Sequence, residues 1–389
     1  MNKKGHIMKE NSFFPEIKGN FGFGCMRLPM DGDKVNYDEF TKMADAFIDA
    51  GFNYFDTAHL YINGLSEIAI SECVSKRYSR EKFLIADKLS DPCFNSTEDI
   101  RPFFENQLKW LNVDYIDFYL MHAQDKNNYQ KYKKFKAYET CYKLKEEGLI
   151  KHLGISFHDK AEVLDMILKE HPEVEFVQIQ FNYADYDDEA LEGGKVYDIC
   201  EKYNMPVIVM EPVKGGSLVN LPPECHKILK DLRSGSNASI ALRYAAGFPN
   251  MAVTLSGMSD LAQMEDNLKT FTDFKPLNEK ENEAVKEVCR VFKSFNLIPC
   301  TGCRYCIEES KCPKKIAIPD MFANVNNFET FKNPNSHYIY SVVICGGDAG
   351  KASDCIKCGK CEKVCPQHLE IRKLLEKVVD TFETNSIFK

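Results

Sequence analysis

Four apolar runs in this chain end in ionisable residues. They are Asp56 in NYFDTA, Lys88 in FLIADKL, His122 in DFYLMHA and Glu211 in VIVMEP, and Tyr61 follows five residues after Asp56. Any one of them alone would read as a turn residue. Together they have a specific chemistry. A free phenol titrates near 10 and is a poor proton donor at neutrality. An ammonium beside it, itself held by a carboxylate, favours the phenolate and lowers that value. Tyr61 would then serve as general acid to a carbonyl oxygen whose carbon accepts hydride. An imidazole such as His122 would orient that oxygen and stabilise its developing charge.

The cysteines point to a second chemistry. Eight of the sixteen are scattered, and the other eight form two tight groups near the C-terminus. Cys300, Cys303 and Cys306 precede Cys312-Pro313; Cys355, Cys358 and Cys361 precede Cys365-Pro366. Such density in a small secreted domain would mean disulfides, but this chain is long. Paired C-x₂-C motifs also hold structural zinc, which is the minority reading here. The second group has the C-x₂-C-x₂-C-x₃-C-P spacing of two-cluster bacterial ferredoxins, and the first has five residues before its last cysteine. This resemblance implies two [4Fe–4S] clusters with crossed ligands. One set is Cys300, Cys303, Cys306 and Cys365; the other is Cys355, Cys358, Cys361 and Cys312. Cys345, in an ICGG turn, reads as a spare thiol.

Positioning the strand-end residues takes alternating elements. Short apolar runs at Phe21–Cys25, Asn53–Thr57, Phe83–Asp87, Tyr115–Met121, Ile150–Ser156, Phe176–Phe181, Val207–Met210 and Ala252–Leu255 read as strands. Between them lie helical patterns at Tyr37–Ala50, Leu65–Arg77, Thr97–Leu111 and Tyr132–Glu147, two of them followed by Gly51 and Gly148 as helix stops. The alternation predicts parallel βαβ units. Eight repeats favour a closed (β/α)₈ TIM barrel, with a doubly wound open sheet as the alternative; in either, chemistry sits at the strands' carboxyl ends.

FDTAHLYINGLSE, IADKL and DFYLMHA, in this order, resemble catalytic segments of the aldo-keto reductase superfamily, over about residues 20–274. The resemblance implies a tetrad: Tyr61 as proton donor, Lys88 as modulator of its pKa, Asp56 as partner of Lys88, and His122 as carbonyl-orienting donor. It also implies cofactor contacts. Ser156 and Gln178 match residues that hold a nicotinamide carboxamide, and Gly215 and Gly216 a loop that approaches the pyrophosphate. SGMSDLAQMEDNL, which contains Gly257, resembles the adenosine-phosphate segment, with Asn267 at an adenine contact. Two departures stand out. Phe157 replaces a common Asn, and Glu211 takes the place of an aromatic ring that stacks on the nicotinamide. Met258, Ser259 and Gln263 occupy the neighbourhood of the usual clamp for a 2′-phosphate, which a cation would hold best. NAD(H), NADP(H) and a flavin therefore all stay open as cofactors.

The stretch between the cysteine groups and the tail LEIRKLLEKVVDTF are helical in pattern, which implies a mainly α-helical ferredoxin-like dicluster domain. The reading is thus a barrel over 1–280, then a connecting helix (Asn278–Ser294) and a dicluster domain over 281–389. Clusters pass single electrons, whereas a carbonyl takes a hydride pair. The expected function is an oxidoreductase that reduces a carbonyl or oxidises an alcohol and moves electrons through its clusters, with ferredoxin or flavodoxin as candidate partner. The alternatives are a nicotinamide-dependent reductase with structural or sensory clusters, and a non-catalytic redox sensor or accessory subunit.

The remaining features bound this reading. A formal charge of −8 without a basic stripe argues against nucleic acid, and the lysines of 131–136 read as a solvated helix face. The N-terminal MNKKGHIMKENSFF lacks the apolar stretch of a secretory signal, and no run is long enough to span a membrane. A cytoplasmic location is expected.

Overall fold

In the computed structural model, residues 11–384 are described except 189–190, 231, 233–234, 296, 332–334 and 347. The N-terminal ten residues, part of the segment read above for a signal, lie outside them. The apolar runs form eight strands: β1 (Phe21–Gly24), β2 (Tyr54–Asp56), β3 (Leu84–Leu89), β4 (Ile116–Gln124), β5 (Ile150–Phe157), β6 (Phe176–Gln180), β7 (Val207–Met210) and β8 (Met251–Gly257). Each pairs in parallel with its neighbours in sequence, and β1 closes the ring by pairing with both β2 and β8. The closed barrel excludes the open sheet. Its wall has no free edge for another chain to extend.

Alternation along the strands sorts the side chains. Tyr54, Leu84, Ala86, Phe118, Leu120, Phe176 and Ile208 share one buried cluster, into which the N-terminal segment inserts Phe14 and Ile17. Phe14 packs edge-on against Phe118 at 5.1 Å, and Asn11 Nδ2 donates to the Ala252 carbonyl at 2.7 Å. These contacts involve residues early in their strands, so the segment plugs the amino end of the barrel.

The helices fall between the strands, with two differences from the sequence reading. The stretch expected as one helix over Tyr132–Glu147 is two, Lys126–Lys134 and Ala137–Glu146, because Lys136 takes a left-handed φ of 52°. The helix expected over Leu65–Arg77 runs from Leu65 to Ile70 and widens into a π turn over Ser71–Ser75. Gly51 (φ 98°) and Gly148 (φ 81°) do follow helix ends in the left-handed conformation that glycine accepts freely.

The chain divides into two compact units. The barrel unit comprises residues 1–212 and 238–278; the second comprises 213–237 and 279–389. The boundary expected at 280/281 thus leaves out one excursion, 213–237, whose helix Pro223–Lys230 belongs with the helix Glu279–Ser294; Cys225 Sγ approaches the Val288 carbonyl at 3.8 Å. The rest of the second unit is mainly helical, with a core that includes Ile316, Met321, Phe322, Val325, Leu375, Val378 and Phe382.

Candidate active site and cysteine cavities

Strands β2, β3 and β4 bring Asp56, Lys88 and His122 to the carboxyl end of the barrel. Lys88 is fully buried; its Nζ donates to Asp56 Oδ1 at 2.8 Å and to the Thr57 carbonyl at 2.6 Å. The same ammonium stands 4.8 Å from the centroid of the Tyr61 ring. His122 meets that ring edge-on, with centroids 6.1 Å apart. Four buried side chains from three strands and one loop therefore converge.

Tyr61 is held by an unusual turn. Ile62 (φ 52°), Asn63 (φ 53°) and Gly64 (φ 85°) follow it in succession, all left-handed. The conformation costs a β-branched residue such as Ile62 on the order of 1–2 kcal/mol, and surrounding packing has to hold it.

The electrostatics correct one expectation. Burial, then the charges of Asp56, Asp87, Glu211 and Cys25, push the Tyr61 phenol well above its ordinary value. The expected lowering by Lys88 does not prevail in the free site, because desolvation and several carboxylates oppose one ammonium. Tyr61 is accordingly protonated, the form a proton donor needs. Burial also raises Asp56, against the opposing pull of Lys88 and Gln178. His122 is held well below its ordinary value by burial, then by Lys88 and His158, and is therefore neutral.

Around this core lie the residues matched to a nicotinamide. Gln178 Nε2 donates to Asp56 Oδ2 at 3.1 Å, and Ser156 pairs with Gln178 across β5 and β6. Among the described residues, neither Gln178 Oε1 nor Ser156 Oγ has a hydrogen-bond partner, although both are buried. Two orphaned polar atoms beside the tetrad suit the amide of a carboxamide, since an unpaired buried polar atom is costly. Glu211, left-handed at φ 55°, faces Arg27 Nη2 at 3.5 Å. Gly257 also lies close to Arg27, its β-position 3.5 Å from Arg27 Cδ. Asn267 is buried, with Nδ2 bonded to Ser256 Oγ at 2.9 Å.

Gly215 and Gly216 belong to the second unit. A β-carbon on Gly215 (φ 60°) would collide with the Thr301 carbonyl of that same unit. The close approach that requires glycine at 215 is thus to protein backbone, whereas Gly216 has open space around it.

Sequence reasoning passed over three sets of residues. Ser90 Oγ is 2.6 Å from His122 Nδ1; counting by twos from Ala86 and Lys88 would have pointed to it. Arg27, just past β1, carried no periodic signal. The third set lies on the outer face of β3. There Asp87 and Glu67 share a hydrogen bond, Gln107 Nε2 donates to both at 2.8 and 3.2 Å, and His59 Nδ1 meets Glu67 Oε2 at 2.7 Å. Both carboxyls are fully buried, and desolvation raises Glu67 to about 7.

In the second unit the two cysteine triplets fold alike. Each has left-handed residues at its third and fifth positions: Gly302 (φ 67°) and Arg304 (φ 69°) in one, Lys357 (φ 57°) and Gly359 (φ 71°) in the other. The repeated reversal curls each triplet around a cavity. Cys300, Cys303 and Cys306 line one together with Cys365; Cys355, Cys358 and Cys361 line the other together with Cys312. Among the described residues, no three His, Cys, Asp or Glu side chains converge closely enough to bind a single metal ion. Cys345 lines neither cavity.

A closed parallel barrel with acid–base groups at its carboxyl end has the architecture of a barrel enzyme, here joined to a cysteine-rich unit. Residues 20–290 match the aldo/keto reductase family and residues 299–370 a 4Fe-4S dicluster domain. The chain belongs to the aldo/keto reductase family and is an iron–sulfur oxidoreductase within it. It is 24% identical to the uncharacterized oxidoreductase YqkF of Bacillus subtilis, over 68% of this chain and 90% of the relative. It is also 24% identical to L-galactose dehydrogenase of Arabidopsis thaliana, over 69% and 88%. Among solved structures, it resembles an aldo-keto reductase of Bacillus halodurans in holo form (TM-score 0.55, 24% identity, 70% of this chain and 92% of that one). An aldo-keto reductase of Klebsiella pneumoniae in complex with NADPH is similar too (TM-score 0.56, 18% identity, 70% and 90%).

Proposed function

We propose that the barrel site reduces a carbonyl, or oxidises the corresponding alcohol, and that two [4Fe–4S] clusters in the second unit exchange electrons with that reaction. One observation carries the reading: the buried Lys88 ammonium bridges Asp56 and the Tyr61 ring in a single pocket. As negative charge develops on the substrate oxygen, Tyr61 O–H donates its proton to it. The Lys88 cation beneath the ring stabilises the phenolate left behind. His122, neutral and tied to Ser90, orients the oxygen through its other nitrogen. Burial of the four keeps water away and strengthens each interaction.

Ser156 and Gln178 would hold the carboxamide of NAD(H) or NADP(H), which supplies the hydride when bound. A nicotinamide, and not a flavin, is the cofactor with matched residues here, and a similar structure was solved with NADPH. Cys300, Cys303, Cys306 and Cys365 would hold one cluster, and Cys312, Cys355, Cys358 and Cys361 the other; each cluster supplies one-electron transfer. Among the described residues no two cysteines are joined in a disulfide, and no helix is long and apolar enough to cross a membrane.

A second reading rests on a different observation. Cys306 and Cys361 are buried in the core of their unit, so the clusters could serve as its structural centre while the barrel works alone with nicotinamide. Anaerobic titration of the holoprotein with NADH, then NADPH, separates the two. Bleaching of cluster absorbance is expected if electrons pass between the sites. Unchanged absorbance, with dithionite still reducing the clusters, would favour the self-contained reductase.

A further inference from the structure

The two cysteine cavities differ in charge and exposure. The cavity of the first triplet has one cation in its lining, Arg304, engaged by Asp320 at 3.3 Å and Glu308 at 3.8 Å. That of the second is lined by Lys314, Lys360 and Arg372 and by no carboxylate. Arg372 is paired with Glu362, but among the described residues neither Lys314 nor Lys360 has an ion-pair partner. The flanking segments reinforce the sign. Residues 311–315 hold three lysines and no acid, and 351–363 hold four lysines and two acids, in a chain whose net charge is −8. Cys358 is exposed here, and Ile356, between Cys355 and Lys357, is 57% exposed.

We propose that this rim around Cys358 is the docking surface for a small acidic one-electron carrier protein, and that the second cluster is the chain's electron port. The inference rests on the reading that the clusters carry electrons, and it deepens that reading by naming the cluster and the partner's charge. Unpaired lysines around an exposed redox edge attract an acidic surface and orient it on approach. Ile356 adds an apolar contact at the centre of the patch, where a docking protein excludes water best. A small anion would satisfy the lysines but carries no electron. The step itself is simple: one electron leaves the reduced carrier and enters the oxidised cluster, with no bond made or broken and no proton moved.

The test uses the anaerobic holoprotein with an acidic two-cluster ferredoxin as protein probe and reduced methyl viologen as a small cationic donor. Ferredoxin affinity is measured against ionic strength, together with cluster reduction by each donor. We expect affinity to fall by about tenfold or more as salt rises about tenfold. Lys314→Glu with Lys360→Glu should weaken ferredoxin binding at least about tenfold at low salt and leave reduction by viologen intact. Lys314→Gln with Lys360→Gln, checked for full cluster absorbance, should give a smaller loss in the same direction. Lys286→Glu, on the exposed helix Glu279–Ser294, should change nothing. Salt-independent binding, undiminished binding in the Lys→Glu variant, or equal displacement by a DNA oligonucleotide would each overturn the proposal. If viologen reduces the clusters but their electrons never reach a carbonyl substrate, the wired reading falls while ferredoxin affinity still decides the docking surface.

Discussion

Ser90 Oγ lies 2.6 Å from His122 Nδ1, joining the residue just past β3 to the imidazole on β4 inside a fully buried pocket. With the ring held neutral, a hydroxyl that donates to Nδ1 leaves the proton on Nε2, where it can be offered to a substrate oxygen. Ser90 thus positions His122 without meeting the substrate itself. Ser90→Ala frees the ring to take the other tautomer. We expect kcat to fall about tenfold or more, with KM much less affected and Ser90→Thr restoring much of the loss. Steady-state kinetics on all three proteins would test this, and an unchanged kcat in Ser90→Ala would remove Ser90 from the mechanism.

Tyr61→Phe deletes the donor oxygen and leaves the ring that packs beside Lys88. Carbonyl reduction should drop by about 10²–10⁴-fold while cluster absorbance stays the same. The raised phenol also sets a direction with pH. Alcohol oxidation needs the phenolate, so its rate should keep climbing past the ordinary tyrosine range, while reduction stays flat through neutrality. A plateau in the oxidation profile below pH 9 or so would contradict the raised value.

Asp56→Asn strips the buried Lys88 of its countercharge. Removing one member of such a pair typically costs about 3–5 kcal/mol. The midpoint of barrel unfolding should fall accordingly, by circular dichroism or calorimetry, as well as activity. Loss of activity with unchanged stability would mean that Lys88 finds another partner or sheds its charge.

The Glu67–Asp87 pair gives a stability signature. Glu67 titrates near 7 when folded, against an ordinary 4.5, chiefly because of burial. Between those values the folded chain holds a proton that the unfolded chain has released, so stability falls as pH rises through this window. Asp87 is raised as well and acts in the same direction. Glu67→Gln should flatten this decline by roughly 1–3 kcal/mol between pH 5 and 8. Thermal midpoints of the two proteins at both pH values would show it; parallel curves would not be consistent with a shared proton.

Removal of the clusters should unfold one unit and spare the other. Without them, eight cysteines ring two unfilled cavities within a small core. Hydrogen exchange on the chelator-treated protein should show lost protection in the helices Ile318–Phe331 and Ile371–Val379, with the barrel strands unchanged. Full protection of both helices would argue that the clusters are dispensable for folding.

The amino-acid sequence by itself determined the eight strands, because each is a short apolar run bounded by polar turns, and local pattern is what a strand obeys. It also showed Asp56, Lys88 and His122, since an ionisable residue at the end of such a run stands out against it. The cysteine spacings were legible for the same reason: a triplet's curl is decided within seven residues. Tertiary structure alone decided the closure of the barrel, which depends on β1 meeting β8 across more than two hundred residues. It alone brought Ser90 to His122 and Arg27 to Glu211, contacts between residues far apart along the chain. It set the protonation of Tyr61 too. A sequence shows which charges are near in the chain, but a pKa answers to how much water is excluded and how many carboxylates surround the group, and only packing fixes those.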